Sequence, residues 1–155
     1  MNLERLYFLR EEFEMTQEEL GRIIGVKKYS ISNWERGKEI IPLEKLNAIS
    51  NYYNVSLDYI LSLSKDKKIV NKNELDKVQI GLKFKKIRIM NNLTQRELAK
   101  ILHTTHSVIW SYETGRNMIL TAFAYDFCKK FNVSLDWLCS KTVSDDSYID
   151  IMIKN

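Results

Sequence analysis

The sequence predicts an all-α fold in which two five-helix domains stand in tandem, joined by a short charged linker. The 155 residues contain only five Gly and one Pro, so few turns can depend on these residues and helices are favoured. Apolar residues recur three or four positions apart, which is the spacing of one helix face. There is also an internal repeat, because TQEEL at 16–20 reappears as TQREL at 94–98, and NVSLD at 54–58 reappears unchanged at 132–136.

A single offset of 78 residues relates both pairs and holds without a gap from the first helix to the fifth, which indicates a duplicated domain. The predicted domains are residues 1–64 and 79–142, with a linker at 65–78 and a tail at 143–155. In the linker, Asn73 is predicted to cap a helix that runs into the second repeat. The tail ends in an alternating apolar run that resembles an edge strand or a docking segment.

The first two helices of the first repeat have recognisable ends. Helix 1 is predicted over about residues 3–13 and is capped by Asn2. Helix 2 starts at Thr16, because Glu19 three residues later completes a capping-box pattern. It ends at Gly25, since glycine readily adopts the left-handed conformation that a tight turn requires. The second repeat departs from the first at this turn, where it has His103.

The remaining helices follow in the same way. Helix 3 is predicted over about residues 28–35 and ends before Gly37, Pro42 opens helix 4, and residues 56–58 start helix 5. The apolar side chains expected in the core fall on one face of each helix. They are Leu6, Leu9, Phe13, Leu20, Ile24, Ile31, Trp34, Leu43, Leu46, Ile49, Ile60 and Leu61.

Composition is that of a folded soluble protein, with 45% hydrophobic and 28% charged residues. No stretch approaches the roughly 18 consecutive apolar residues of a membrane helix. The charged N-terminus lacks the apolar run of a signal peptide, so we expect a cytoplasmic protein without a membrane partner. Cys128 and Cys139 are too few for a disulfide framework and are expected to be reduced core thiols.

Positive charge is unevenly distributed within the net charge of +4. The first predicted domain carries a net charge of −2, the linker +2, the second domain +6 and the tail −2. The second domain is therefore expected to attract a polyanion through its overall field. The first domain depends instead on where its few cations lie.

Two short helices joined by a tight turn inside a five-helix domain form a helix-turn-helix pattern. On these residues the chain closely resembles the lambda repressor/Cro-like, or XRE, family of phage and bacterial regulators. The resemblance rests on TQEELGRIIGVKKYSISNWERGK with PLEKLNAISNYYNVSLDYIL, and again on LTQRELAKILHTTHSVIWSYETGR with FNVSLDWL. It covers nearly the whole chain, twice.

The resemblance implies roles for residues that recur at the same offset. Gln17 and Gln95, in the first turn of helix 2 of each repeat, are expected to hold a DNA phosphate together with free backbone N–H groups. Two ion pairs are expected to link helix 1 to the recognition helix. They are Arg10 with Glu35 and Arg88 with Glu113.

The exposed face of helix 3, the recognition helix, is expected to contact bases. Lys can donate to guanine N7 and O6, and Asn can bond adenine through both groups of its amide. Lys28, Tyr29 and Asn33 match positions that contact bases in the family which the chain resembles. The predicted base-contacting residues are Lys28, Tyr29, Ser32 and Asn33, and the predicted phosphate-contacting residues are Gln17, Lys27, Arg36 and Lys38.

The second recognition helix has no Lys or Arg. Its predicted base-contacting residues are His106, Ser107, Trp110 and Ser111, and its predicted phosphate-contacting residues are Gln95, Thr105 and Arg116. An exposed Trp110 indicates contact with a thymine methyl, a sugar or a protein. Positive charge gathers elsewhere in this repeat, at Lys83, Lys85, Lys86, Arg88, Lys129 and Lys130. We hypothesise that the first repeat contacts specific bases, while the second adds phosphate contacts, a second half-site or a dimer surface.

These patterns predict a sequence-specific regulator that binds double-stranded DNA and represses a phage-like or bacterial operon. The alternative is a protein-interaction module, such as an antitoxin or inhibitor, that kept the fold with weak or no DNA contact. The net charge of the first domain and the uncharged second recognition helix favour this alternative. The chain is expected to act as a pseudo-dimer alone, or as a homodimer through helix 5 or the tail.

Enzymatic activity is not expected, because the sequence has no nucleophile elbow and no glycine-rich phosphate loop. No cofactor or small-molecule ligand is expected either, since both repeats use their apolar residues for their own small cores. A metal site is not predicted, because the available His and Cys residues match no common zinc spacing. These residues are His103, His106, Cys128 and Cys139.

Overall fold

The computed structural model describes residues 1–67 and 71–142, and the regular elements of these ranges are ten α-helices. The first domain contains α1 (Glu4–Glu12), α2 (Gln17–Ile24), α3 (Lys28–Glu35), α4 (Leu43–Tyr53) and α5 (Leu57–Ile60). The second contains α6 (Lys77–Met90), α7 (Gln95–Ile101), α8 (His106–Glu113), α9 (Thr121–Phe131) and α10 (Leu135–Leu138). The predicted all-α fold of two five-helix units is confirmed. The role predicted for the tail falls outside the described residues.

Hydrogen bonds at the start of the second helix recur in both domains. The hydroxyl of Thr16 accepts from the Glu19 N–H at 3.1 Å, and the Glu19 carboxylate accepts from the Thr16 N–H at 2.7 Å. Thr94 and Glu97 form the same capping box at 3.1 and 2.7 Å. The backbone N–H groups of the two threonines hold the pKa of Glu19 and of Glu97 below its usual range. Local sequence therefore sets where α2 and α7 begin.

The turn after this helix keeps its shape although its residues differ. Gly25 has φ 73°, and His103 at the matching position has φ 54°. The next N–H closes the turn in both domains, from Val26 to the Gly21 carbonyl at 2.8 Å and from Thr104 to the Ala99 carbonyl at 2.9 Å. The left-handed conformation costs a residue with a Cβ about 1–2 kcal/mol, a cost that His103 bears and Gly25 avoids.

Each domain has a core of its own, and the two cores differ in shape. The core of the first domain is largely aliphatic, whereas the second replaces Leu6 with Phe84 and Ile49 with Phe127. The rings of Phe84 and Phe127 pack with centroids 4.3 Å apart. Fully buried apolar side chains include Leu6, Leu20, Ile31, Leu46 and Ile49 in the first domain, and Phe84, Leu98, Ile109, Phe127 and Trp137 in the second.

A buried ion pair joins the first helix of each domain to the third. Arg10 donates to both carboxylate oxygens of Glu35, from Nε at 2.7 Å and from Nη2 at 3.2 Å. Arg88 does the same to Glu113, at 2.5 and 3.0 Å. The hydrogen bond to Glu35 raises the pKa of Arg10. The Arg10 and Glu35 side chains are 8% and 5% exposed, so the pair is shielded from water. It therefore fixes α3 on α1, and its counterpart fixes α8 on α6.

Arg10→Met is expected to lower the free energy of unfolding by about 3–5 kcal/mol, because it leaves the Glu35 carboxylate buried without its partner. Urea denaturation followed by circular dichroism measures the loss. Arg22→Met removes an exposed arginine of α2 and should stay within about 0.5 kcal/mol of the wild type. Equal effects of the two substitutions would contradict a structural role for the ion pair.

The two domains meet through a reciprocal exchange of hydrogen bonds between α5 and α10. The Asp136 carboxylate accepts from the backbone N–H groups of Leu57 at 2.8 Å and Asp58 at 2.9 Å. The Asp58 carboxylate accepts from the Leu135 N–H at 2.7 Å and from the Ser134 hydroxyl at 2.5 Å. Each carboxylate thus lies at the N-terminus of a helix in the other domain, where backbone N–H groups have no partner within the helix.

This exchange relates the domains by a local two-fold axis. The contact from Asp136 to α5 has its counterpart in the contact from Asp58 to α10, and the two differ by the offset that relates the sequence repeats. Reciprocal contacts of this kind characterise an isologous interface between two subunits. The chain therefore folds as a dimer of its own two halves.

A second polar cluster at the interface has no two-fold counterpart. Lys141, which is 1% exposed, donates from Nζ to the Oδ1 atoms of Asn47 at 2.7 Å and Asn51 at 2.6 Å, both on α4. Burial lowers the pKa of Lys141. In the other repeat, Leu63 occupies the position of Lys141, and Tyr125 and Lys129 occupy those of Asn47 and Asn51. Leu63 has no side-chain donor, so this cluster forms on one side of the axis only.

Asn73 belongs to this cluster, and its predicted role as a helix cap is wrong. Its carbonyl accepts from the side-chain amides of Asn47 at 2.7 Å and Asn51 at 2.9 Å, and its own amide donates to the Cys139 carbonyl at 2.9 Å. Asp76 caps α6 instead, since its carboxylate accepts from the first-turn N–H groups. Asn73 therefore ties the linker to both domains.

Burial raises the pKa of Asp136 well above its usual range, and the Asp58 carboxylate beside it adds to this rise. A carboxyl whose pKa is raised by folding takes up a proton when the chain folds. Its contribution to stability is therefore complete below the unfolded pKa of about 3.9, and is lost as pH rises through the folded pKa.

The stability of the wild type relative to Asp136→Asn is therefore expected to be greater at pH 5 than at pH 8, because the amide cannot lose a proton. Urea-unfolding midpoints of both proteins at the two pH values give this difference. Asp126→Asn, which changes an exposed carboxylate of α9, should follow the wild type at both pH values. A difference between wild type and Asp136→Asn that does not change with pH would contradict the uptake of a proton.

Candidate nucleic-acid interface

The recognition helix of each domain is anchored at its C-terminal end by a third residue besides the ion pair. Gln17 donates from Nε2 to Glu35 Oε2 at 2.8 Å, and Gln95 donates to Glu113 Oε2 at 2.7 Å. The two glutamines predicted to hold phosphate therefore also link the first turn of the second helix to the recognition helix. Sequence reasoning missed this link. The signal was present, because Gln, Arg and Glu recur together at the same offset.

The exposed face of α3 carries the first set of predicted DNA contacts. Lys27 and Lys28 are exposed, Tyr29 is 61% exposed, and Ser32 and Asn33 are half-buried. With Gln17, the first four line one open depression on the surface. The structure thus brings the predicted base-contacting residues of the first domain together on one face, next to the start of α2.

Two predicted phosphate contacts, Arg36 and Lys38, follow α3 and are exposed. Arg36 folds back along the helix, donating to the Ser32 carbonyl at 3.2 Å and to Asn33 Oδ1 at 3.4 Å. The second bond is long, so it leaves Asn33 available for a stronger partner. The acidic residue of α3, Glu35, is neutralised by Arg10 and does not present a free negative charge on this face.

The corresponding face of α8 has a different chemistry. His106 and Ser107 are exposed, and the indole of Trp110 is 43% exposed. The exposed guanidinium of Arg116 lies 6.0 Å from the centroid of the Trp110 ring. These four residues line an open depression together with Val108, Ser111 and Asn117. In place of the lysines of α3, this surface offers an aromatic ring beside a single cation.

Two predicted contacts of the second domain are engaged within the helix. Ser111 is only 7% exposed, and its hydroxyl is already engaged within the helix because it donates to the Val108 carbonyl at 2.8 Å. Thr105 is the N-cap of α8, with its hydroxyl accepting from the Val108 N–H at 3.4 Å. Its backbone still lies at the helix start, where an anion is favoured.

The positive charge that gathers on α6 is partly used inside the domain. Arg88 is committed to Glu113, and Lys83 donates to the Trp137 carbonyl at 2.9 Å. Lys85 and Lys86 are exposed. The net charge of +6 therefore overstates how many cations the second domain presents on its surface.

The residues weighed as metal ligands are not assembled into a site. His103 and His106 are exposed, whereas Cys128 and Cys139 are fully buried and burial raises the pKa of both thiols. Within residues 1–67 and 71–142, His, Cys, Asp and Glu side chains form no group of three or more that could hold a metal ion. Over the same ranges, no helix has the length and apolar character needed to cross a bilayer.

Comparison with known proteins agrees with this geometry. A family model described as helix-turn-helix matches residues 6–60, and one described as a helix-turn-helix domain matches residues 81–142. The chain is 39% identical over 66 residues to the uncharacterised HTH-type transcriptional regulator YobD of Bacillus subtilis. That alignment covers 43% of this chain and 59% of the relative.

Two further relatives differ in the functions that their names state. The HTH-type transcriptional activator BcrR of Enterococcus faecalis is 39% identical over 59 residues, which are 38% of this chain and 29% of that protein. The antitoxin PezA of Streptococcus pneumoniae is 29% identical over 80 residues, which are 52% of this chain and 48% of that protein. The chain thus spans less than two thirds of the length of these relatives. With the two matches falling on the two structural units, the chain is a tandem helix-turn-helix protein, with one such domain in each half.

Proposed function

We propose that this protein binds double-stranded DNA in a sequence-specific manner and regulates transcription as a repressor. The observation that carries the proposal is the exposed face of α3, where Lys28, Tyr29 and Asn33 stand together on a helix that a buried ion pair fixes in place. A recognition helix enters the major groove with its N-terminal residues against base edges. Lys28 and Tyr29 occupy that end of α3.

The side chains on this face match the groups that bases expose in the major groove. Lys28 donates to guanine N7 or O6, and Asn33 forms two hydrogen bonds with adenine N6 and N7. Asn33 Oδ1 has two lone pairs, so it can accept from adenine N6 beside its long bond from Arg36. The Arg36 guanidinium therefore lies next to the base-contacting amide, at the exposed end of α3 where a phosphate contact is proposed.

Phosphate contacts surround the base-contacting residues. Lys27 precedes α3, Arg36 and Lys38 follow it, and the first turn of α2 begins at Gln17. Helix N-termini bind anions through backbone N–H groups that lack partners within the helix. These cations make up for the net charge of −2 of the first domain, because they lie where the DNA backbone passes.

We propose repression as the mode of regulation because it requires only that the bound protein occupies the operator. One relative is named an activator, so the sign of regulation needs its own experiment. A reporter gene placed behind the selected binding site shows lower expression with the wild type if the protein represses, and higher expression if it activates.

The second candidate function is that of a protein-interaction module, such as an antitoxin or an inhibitor. The similarity to an antitoxin over 80 residues favours it, as does the cluster of exposed aromatic side chains on α1, α4 and the turn after α1. These side chains are Tyr7, Phe8, Phe13 and Tyr52, between 41% and 55% exposed. The two candidates are distinguished by whether any DNA sequence is bound preferentially.

Selection from random duplex DNA is expected to enrich one motif with the wild type. Lys28→Ala/Asn33→Ala should lower affinity for that motif by at least about thirtyfold, because two base contacts of about 1–3 kcal/mol each are removed. Fluorescence anisotropy on the selected site measures the loss. Affinity of the wild type should also fall steeply as salt is added, since phosphate contacts release counterions.

Lys72→Ala is the matched control, because it removes an exposed lysine of the linker away from α3. Its affinity should remain close to that of the wild type. If no sequence is enriched even at low salt, the proposal of a DNA-binding regulator fails and the interaction-module candidate takes its place.

A further inference from the structure

We infer that the operator of this protein is asymmetric, with two unlike half-sites that one chain contacts at the same time. The inference rests on the proposed DNA binding and specifies the class of sequence that is bound. It comes from two independent observations, the fixed pairing of the domains and the different chemistry of their recognition helices.

The pairing of the domains is fixed by buried polar contacts. Asp58 and Asp136 are 5% and 6% exposed, and each accepts hydrogen bonds from backbone N–H groups at the start of the other domain's short helix. The hydroxyl of Thr121, at the start of α9, also donates to the Ile41 carbonyl at 2.6 Å. Ile41 lies in the segment that follows α3, so the contact between domains extends to the C-terminal side of the first recognition helix.

A two-fold rotation keeps the direction along its axis, so a surface that points along the axis in one domain points the same way in the other. We infer that the recognition helices are such surfaces and face one DNA duplex together. The hydrogen bond from Thr121 to the Ile41 carbonyl brings the segment after α3 against the start of α9. Two helix-turn-helix units paired in this way contact half-sites about one helical turn apart. A single chain therefore supplies what a symmetric dimer supplies with two.

The asymmetric cluster around Lys141 favours this pairing over pairing between two copies of the same domain. Lys141 comes from the second domain, and the oxygens that accept its hydrogen bonds belong to Asn47 and Asn51 of the first. Two first domains would place Leu63 against the asparagines, and two second domains would place Lys141 against Tyr125 and Lys129. Either arrangement leaves buried polar groups without partners, which costs free energy.

The two recognition faces require different bases. On α3, Lys28 offers an ammonium donor that suits guanine, and Asn33 offers an amide that suits adenine. At the matching positions α8 has His106 and Ser111, and the serine hydroxyl is bonded to its own helix. Trp110 replaces Ser32 and exposes an apolar ring. In the major groove the apolar group available to such a ring is the thymine methyl. The second half-site therefore contains a thymine in contact with Trp110.

Selection from random duplex DNA tests this inference with the full chain and two variants. The wild type is expected to enrich two unlike half-sites about one helical turn apart, with one chain bound per duplex by analytical ultracentrifugation. The variant H106K/S107Y/W110S places the exposed residues of α3 on α8. It should make the second half-site an inverted copy of the first at every position except the one that Asn33 contacts, because Ser111 is retained.

Replacing thymine by deoxyuracil in the second half-site removes only the methyl group and serves as a direct probe. Wild-type affinity should fall about fourfold, the contribution of one buried methyl-sized group. Trp110→Ser should bind the two duplexes equally, and this single variant answers the question if the triple variant does not fold. Circular dichroism monitors folding of each protein.

The outcomes separate the inference from the function on which it rests. Enrichment of a palindrome, or of one half-site alone, by the wild type overturns the asymmetric operator while leaving DNA binding in place. Equal wild-type affinity for thymine and deoxyuracil duplexes overturns the contact of Trp110. Failure to enrich any sequence overturns the proposed function itself.

Discussion

The arrangement of this protein depends on two carboxylates that lie face to face in its interior. Asp58 and Asp136 each satisfy N–H groups of a helix that has only four residues, so the unpaired N–H groups of the first turn make up most of that helix. Burying two like charges together is unfavourable, and burial next to the Asp58 carboxylate raises the pKa of Asp136, which favours its protonated form. The positions of α3 and α8 relative to each other follow from this contact.

A polar interface of this kind fixes the relative orientation of the two domains more than it raises the free energy of unfolding. Apolar surfaces tolerate small shifts, whereas hydrogen bonds weaken steeply when donor and acceptor move out of line. Lys141 strengthens the constraint, because its Nζ donates to the side-chain oxygens of Asn47 and Asn51 on α4, and by a longer bond to that of Asn73 in the linker. Fully satisfied buried networks can fix a single arrangement in this way, even where an apolar contact of equal size would bind as tightly.

The sequence predicted the features that depend on neighbouring residues and missed those that join distant ones. The limits of helix 3 and the capping box of Thr16 with Glu19 follow from local patterns, and the structure has both. The repeated NVSLD was visible, but its aspartates cap each other's domain, which no pattern within one repeat reveals. Asparagine is a residue type that often caps helices, but Asn73 caps none. Its carbonyl instead accepts from the side-chain amides of Asn47 and Asn51 on α4.

The candidate site was likewise predictable where it depends on helical periodicity alone. Helical periodicity placed Lys28, Tyr29 and Trp110 on exposed faces, and the structure leaves them exposed. Ser111 differs from this pattern, because the register with Asn33 predicts an outward position whereas the residue is only 7% exposed. The serine side chain is too short to reach past its own turn, and its hydroxyl bonds to the carbonyl three residues earlier. The register fixes the position of the Cα, while side-chain length decides what reaches the surface.

When two such domains are joined in one chain, the sequences of their two recognition helices can change independently of each other. In a symmetric dimer, any substitution on the recognition helix appears in both half-sites at once, because the two copies share one sequence. Here the buried Gln–Arg–Glu group and the interface aspartates are the same in both halves, while the exposed faces of α3 and α8 differ at all four candidate base-contacting positions. Pairing within the chain is also independent of protein concentration, unlike the assembly of a dimer. The shared scaffold fixes the two recognition helices relative to one another, and so their exposed surfaces can differ without a change in that arrangement.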